Sequence, residues 1–255
     1  MLKKVVLVLS AIAAILYVAF CGALHAYQDS LIYHPVPAAA GTPQTVMVMP
    51  ADGVEIHVSV RPHAGPDAMI YFGGNAEDVS RDLAGFAQAF PDKALYLMHY
   101  RSYGGSTGVP SEEALQRDAL ALFDRVQQEH SRIAVVGRSL GTGIAVRLAA
   151  RRPVARLVLV TPYDSLLGLA AALYPYVPVS LLLRDPYDSG SYAAKVKAPT
   201  LFIVAEHDAV VPRESTERLF ARFDKGHASW VLLKGTDHIT VTDSPEYFAT
   251  LASGL

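Results

Sequence analysis

Five short, almost unbroken apolar runs, at residues 68–72, 94–98, 133–136, 155–160 and 201–205, constrain this chain more than any other feature. A strand with one wet face alternates apolar and polar residues, whereas a strand buried on both faces reads as a continuous apolar run. Helical patterns lie between the runs. After Pro110 come Ser111, a good N-cap, and Glu112 and Glu113, which suit the positive end of a helix dipole. Leu115, Ala119, Leu122, Phe123 and Val126 then recur on one face. Further helices are predicted over 140–151 and 213–223. Strand, helix, strand in repetition specifies an α/β domain: a mostly parallel sheet with helices on both faces. Ahead of it, apolar residues recur at every second position from 45 to 60, broken at Ala51-Asp52-Gly53. Val54, Ile56, Val58 and Val60 share a face, which predicts an N-terminal antiparallel hairpin.

The chain can fill such a core, since 51% of its residues are apolar and only 18% charged, a balance that excludes wholesale disorder. Its formal net charge of -2 lacks the basic surplus of a nucleic-acid binder, so no nucleic-acid partner is expected. Its one cysteine, Cys21, permits neither an intramolecular disulfide nor a cysteine-based metal site. With no repeat or low-complexity linker, residues 28–255 are expected to form one domain.

Residues 1–27 read as an N-terminal membrane anchor or signal-anchor. Lys3 and Lys4 precede an uncharged run of 20 residues from Val5 to Leu24, which as a helix spans roughly 30 Å, the thickness of a bilayer core. A buried core helix rarely stays apolar all the way round. A cleaved signal peptide usually has an apolar stretch of only about 7–15 residues, and cleavage after Ala23 or Ala26 would put Cys21 or Leu24 where a small residue is wanted. Cys21 is not read as a lipidation site, because bulky Phe20 precedes it. Both lysines lie before the span and the next basic residue is Arg61. The positive-inside rule therefore places the rest of the chain on the non-cytoplasmic side, periplasmic or extracellular.

Open α/β sheets carry function at the carboxyl ends of their strands. Gly-x-Ser-x-Gly occurs twice, at Gly104–Gly108 around Ser106 and at Gly137–Gly141 around Ser139. A nucleophile elbow needs a strand running directly into the motif and a helix leaving it. Only the second copy has both, so Ser139 is the candidate nucleophile and Ser106 a turn residue. A serine hydroxyl needs a base to take its proton and an acid to orient that base. His207, His227 and His238 follow Ser139, and only His238 sits in a loop after a late apolar run, residues 230–233. Asp208, just past a strand, is the candidate acid. Asp164 is its main rival, Asp237 reads as a helix-entry residue, and Glu206 lies too close to its strand. An oxyanion needs two backbone N–H donors. Leu140, directly after the serine, should supply one, and the loop after the first parallel strand the other. That loop is Gly73-Gly74-Asn75, whose glycines let amides turn inward; Asn75 is the chosen donor and Ala76 the fallback.

These residues resemble an α/β-hydrolase of the Bem46-like branch, which includes ABHD13- and ABHD17-type membrane-anchored serine hydrolases. The resemblance covers nearly everything after the anchor. It rests on Gly73-Gly74-Asn75-Ala76, on Tyr100-Arg101-Ser102-Tyr103-Gly104-Gly105-Ser106 with Pro110-Ser111-Glu112, and on the elbow. It continues through Thr161-Pro162-Tyr163-Asp164-Ser165, Tyr174-Pro175-Tyr176-Val177-Pro178, Asp185-Pro186-Tyr187-Asp188-Ser189, Glu206-His207-Asp208 before Val211-Pro212, and His238. It implies an α/β-hydrolase fold and a Ser139-Asp208-His238 triad. Two departures stand out: Gly73 replaces a histidine, and Ser102 replaces a glycine of the Arg-Gly-Tyr-Gly element.

Residues 162–192 fall where this fold often inserts a short cap and are rich in leucine and tyrosine. They fit either a helix packed on the sheet edge or an acyl-binding lid. With the tether, the lid implies a lipid-like ester or thioester, carried on a lipid or an acylated protein. The expectation is a serine hydrolase of carboxylesterase or thioesterase type, with no metal or organic cofactor. Two rivals are a nicotinamide-dependent reductase, whose Gly-x-Gly-x-x-Gly is missing, and a catalytically silent membrane-tethered binding module.

Overall fold

The computed structural model describes residues 1–38 and 45–255. Residues 39–44, which the sequence assigns to the hydrolase domain, lie outside the described residues. Eight strands form one sheet: β1 (Thr45–Ala51), β2 (Val54–Arg61), β3 (Asp67–Phe72), β4 (Ala94–Met98), β5 (Arg132–Arg138), β6 (Arg156–Val160), β7 (Thr200–Ala205) and β8 (Ala228–Leu233). Their order is β1-β2-β4-β3-β5-β6-β7-β8, with β1–β2 and β2–β4 antiparallel and the other pairs parallel. This is the α/β-hydrolase arrangement the motifs imply. The opening hairpin turns on Asp52 and Gly53, both at positive φ (49° and 77°). A two-residue turn of this hand matches the twist of the paired strands, and Asp-Gly adopts it readily.

The helices are α1 (Leu2–Ile32), α2 (Leu83–Ala89), α3 (Glu112–Gln127), α4 (Leu140–Ala149), α5 (Leu166–Leu173), α6 (Val179–Leu182), α7 (Ser189–Ala193), α8 (Arg213–Phe220) and α9 (Tyr247–Ser253). Ser111 caps α3 through its side chain, as its residue type predicts. The central strands carry alternate residues into two cores. Ile70, Phe72 and Val135 join α3, α4 and α8 on one face, while Met69, Tyr71 and Val136 join α2 and α9 on the other. Both faces of these strands are covered, which is why they read as unbroken apolar runs.

The N-terminal helix is longer than its apolar run. α1 is long and apolar enough to cross a membrane, yet it runs eight residues beyond Leu24 to Ile32. No helix-breaking residue stands between Leu24 and Pro35, so the boundary at residue 27 falls inside a continuous helix.

Candidate active site

β5 enters the second Gly-x-Ser-x-Gly and α4 leaves it, with Ser139 between them at φ 47° and ψ −116°. A non-glycine residue at positive φ is held there only when its surroundings insist. They do: a Cβ at Gly137 would meet the Gly141 carbonyl oxygen at 2.5 Å, and one at Gly141 would collide with the carbonyl of Phe72. The two glycines let β5, α4 and the end of β3 close on one another, and the turn lifts the serine side chain off the sheet.

Ser139 Oγ lies 2.8 Å from His238 Nε2, and His238 Nδ1 lies 2.8 Å from Asp208 Oδ2. With the carboxylate accepting at Nδ1, Nε2 is the acceptor for the serine hydroxyl. Asp208 is held in turn: its Oδ1 accepts the amides of Val210 (2.9 Å) and Val211 (2.7 Å). The imidazole is 7% exposed, so the relay is shielded from bulk water. The structure thus gathers Ser139, His238 and Asp208 from three separate loops.

It sends the rivals elsewhere. Asp164 is bound by Arg218 (2.7 Å) and Ser215 (2.6 Å). His207 stands exposed beside Glu206, and His227 beside Asp224. Asp237 caps the turn that follows, accepting the amides of Ile239 and Thr240. Ser106 is a buried turn pin, donating to the His99 carbonyl and accepting the His57 amide. Among the described residues, no three His, Cys, Asp or Glu side chains gather as a metal ion would require.

A cavity of about 320 Å³ lies over the serine, lined by Ser139, His238, Leu140, Gly74 and Asn75 among others. Gly74 commits its own amide to Glu77 Oε2 (2.7 Å). Among the described residues, neither the Leu140 nor the Asn75 amide donates to another protein group. Gly73 has a packing reason to lack a side chain, because its Cβ would stand 2.5 Å from Val79 and 3.0 Å from Glu77. A histidine there would need both to move. Ser102 tolerates its positive φ of 68° and anchors its loop by donating to the Gly108 carbonyl (2.6 Å).

Several supporting residues escaped the sequence argument. Glu77 accepts Arg138 (2.6 Å), the Tyr71 hydroxyl (2.5 Å) and the Gly74 amide, tying the loop before the cavity to the residue before the serine. Burial and the nearby Glu77 carboxylate push Asp82 up to about 8. Tyr100 donates to the Gly73 carbonyl (2.6 Å), and its neighbour Arg101 makes two 2.8 Å bonds to the fully buried Asp118 of α3. The Asn75 side chain accepts the His34 amide (2.9 Å) and donates to the Ile32 carbonyl (2.6 Å), so the loop is strapped to the end of α1. The Tyr-Arg-Ser-Tyr-Gly-Gly-Ser element and Asn75 offered a signal in sequence, whereas Glu77 and Asp82 did not.

Residues 162–192 form α5, α6 and the start of α7. Although Leu166 and Leu169 pack, partly buried, against the main core, no residue of α5 is fully buried. A second, larger cavity of about 690 Å³ lies beneath it.

No family model matches the chain. It is 39% identical over 213 residues to an uncharacterized protein of Mycobacterium tuberculosis, covering 76% of this chain and 74% of that protein. Protein bem46 of Schizosaccharomyces pombe is 26% identical over 229 residues, covering 78% and 76%. Lysophosphatidylserine lipase ABHD12 of Macaca fascicularis is 30% identical over 142 residues, but covers only 48% of this chain and 36% of the lipase. Among solved structures, an esterase of Pyrococcus furiosus superposes with a TM-score of 0.70 at 17% identity, covering 87% of this chain and 96% of that one.

Proposed function

The chain belongs to the Bem46-like α/β-hydrolases, and from that premise we propose that it is a membrane-anchored serine hydrolase cleaving lipid-like acyl esters or thioesters. The observation that carries this reading is the 2.8 Å and 2.8 Å relay from Ser139 through His238 to Asp208.

Ser139 Oγ attacks the acyl carbonyl as its proton passes to His238 Nε2. Asp208 keeps the ring oriented and stabilises the imidazolium. The carbonyl oxygen becomes an oxyanion held by the amides of Leu140 and Asn75. His238 returns the proton to the departing alkoxide or thiolate, leaving an acyl-enzyme at Ser139. Water then gives a proton to His238 as its oxygen bonds the acyl carbon; the bond to Ser139 Oγ breaks, Oγ takes the proton back from His238, and the acid leaves. Gly73 and Gly74 let the loop approach this centre. The scheme calls on no metal or organic cofactor. The lipase named among the relatives, the apolar cap and α1 favour a lipid-like acyl group.

The test is fluorophosphonate labelling of the full chain with a panel of acyl esters and thioesters. Labelling at Ser139 and hydrolysis of at least one ester are expected. Absence of both would replace the enzyme with a silent binding module. For the anchor, we expect α1 to span the membrane with the catalytic domain non-cytoplasmic. Protease should then reach the domain from outside spheroplasts or cells; protection until lysis would reverse the orientation.

A further inference from the structure

The larger cavity has a wall that composition did not foretell, the anchor helix itself. Leu24, Leu31 and Ile32 of α1 line it together with Leu169 and Leu173 of α5 and Leu182 of α6. Leu31, Ile32, Leu166, Leu169 and Val210 also line the smaller cavity that holds Ser139 and His238. The two spaces therefore adjoin.

Polar bonds fix α1 against the cap. Gln28 is 5% exposed despite lying on an apolar helix. Its Nε2 donates to the Leu182 carbonyl (3.0 Å) and its Oε1 accepts the Arg184 amide (2.7 Å). A buried amide side chain is costly unless bonded, and here its partners across the cleft are cap backbone. Arg184 also pairs with Asp29 (2.7 Å). Further along, the Tyr17 hydroxyl donates to the Tyr176 carbonyl (2.6 Å). Tyr17 is seven residues before Leu24, about 10 Å deeper along a helix, so the cap reaches down the apolar span. Leu173, Tyr176 and Leu181 of that cap are 71%, 88% and 82% exposed. Apolar groups clustered beside a membrane helix mark a surface for lipid.

Resting on the hydrolase reading above, we propose that the spanning helix is part of the acyl-binding site. The acyl chain of a membrane ester enters from the leaflet beside the cap and lies in the larger cavity between α1 and α5, with its carbonyl at Ser139. The volume lies within the roughly 300–1,000 Å³ of small-molecule sites. Each buried methylene strengthens such binding about fourfold, so this wall selects long chains over short ones.

The full chain in phosphatidylcholine nanodiscs tests this. Leu24→Trp fills the cavity from the α1 side. The ratio of kcat/KM for the dodecanoyl to the butanoyl nitrophenyl ester is expected to fall about tenfold or more; an unchanged ratio overturns the proposal. A second measurement covers misfolding of that variant. An alkyl fluorophosphonate with a diazirine at its chain end reacts with the unaltered protein: the Oγ–P bond forms, P–F breaks, fluoride leaves and His238 takes the proton. On irradiation, cross-links to residues 24 to 32 are expected. Cross-links confined to bulk lipid or to surfaces outside α1 and the cap overturn the proposal. Failure of Ser139 to form the adduct would remove the hydrolase reading itself, and this proposal with it.

Discussion

α4 and α5 are both short, apolar and placed beside the cavity that holds Ser139 and His238, yet every residue of α4 is buried and none of α5 is. The difference lies in what covers each helix. α4 is enclosed by the sheet, α3 and α7. α5 lies across a cavity from α1, and only Leu166 and Leu169 pack, partly buried, against the core. Apolarity in sequence therefore sets a demand for cover without naming its source. The floor of the site must hold reacting atoms to within about half an ångström, which suits dense packing. The roof, on the proposed function, has only to be apolar.

Five measurements would break or sharpen that contrast. On the floor, Ser139→Ala is expected to lower ester turnover by roughly 10⁶-fold with the melting temperature almost unmoved; substantial residual turnover in the pure variant would refute the triad. Asp118→Ala leaves Arg101 without its bidentate partner in a 7% exposed position. It should cost about 3–5 kcal/mol in urea unfolding. Leu148→Ala, at a fully buried α4 position, should cost about 2–5 kcal/mol.

The fourth is a pH effect. Asp82, pushed up to about 8, keeps a proton that the unfolded chain releases near the ordinary carboxylate value. Its contribution to stability is full below about pH 4, declines steadily as pH rises and is gone above about 8. Melting temperature should fall as pH rises from about 6.5 to 8 and level off beyond it, and Asp82→Asn should flatten that decline; an unchanged slope would refute the assignment. His99 works in the opposite direction. Burial pushes it down to about 4, so its contribution fades only as pH falls from about 6.5 towards 4 and does not disturb the alkaline window. The smallest effect belongs to the roof. Leu181→Ala, at an 82% exposed position, should change stability by no more than about 0.5 kcal/mol. A loss matching Leu148→Ala would erase the distinction between the two regions.

The parts legible in the sequence were those whose signals are local. The five runs became β3 to β7 because burial on two faces leaves a contiguous imprint. Ser139 could be separated from Ser106 because strand, turn and helix adjoin in the chain. His238 and Asp208 were located by loop order, and the three-dimensional contacts then separate Asp208 from Asp164. What stayed hidden depends on distant partners. Glu77, Asp82 and Arg138 read as surface charges until folding brings them together behind the serine. Gln28 looks like the polar end of an anchor, whereas it is buried against residues more than 150 positions later. The extension of α1 needed no new residue type, only the absence of a break.

The Asn75 strap bears on how this chain could be recombined. Ile32 and His34 supply partners for the loop that leads to the serine, while Tyr17, Gln28 and Asp29 brace the cap. A graft onto a foreign tether at residue 33 would carry Ser139, His238 and Asp208 across but leave behind Ile32 and the cap braces from Tyr17, Gln28 and Asp29. The smallest transplantable unit therefore begins upstream of Tyr17, within the apolar stretch of α1.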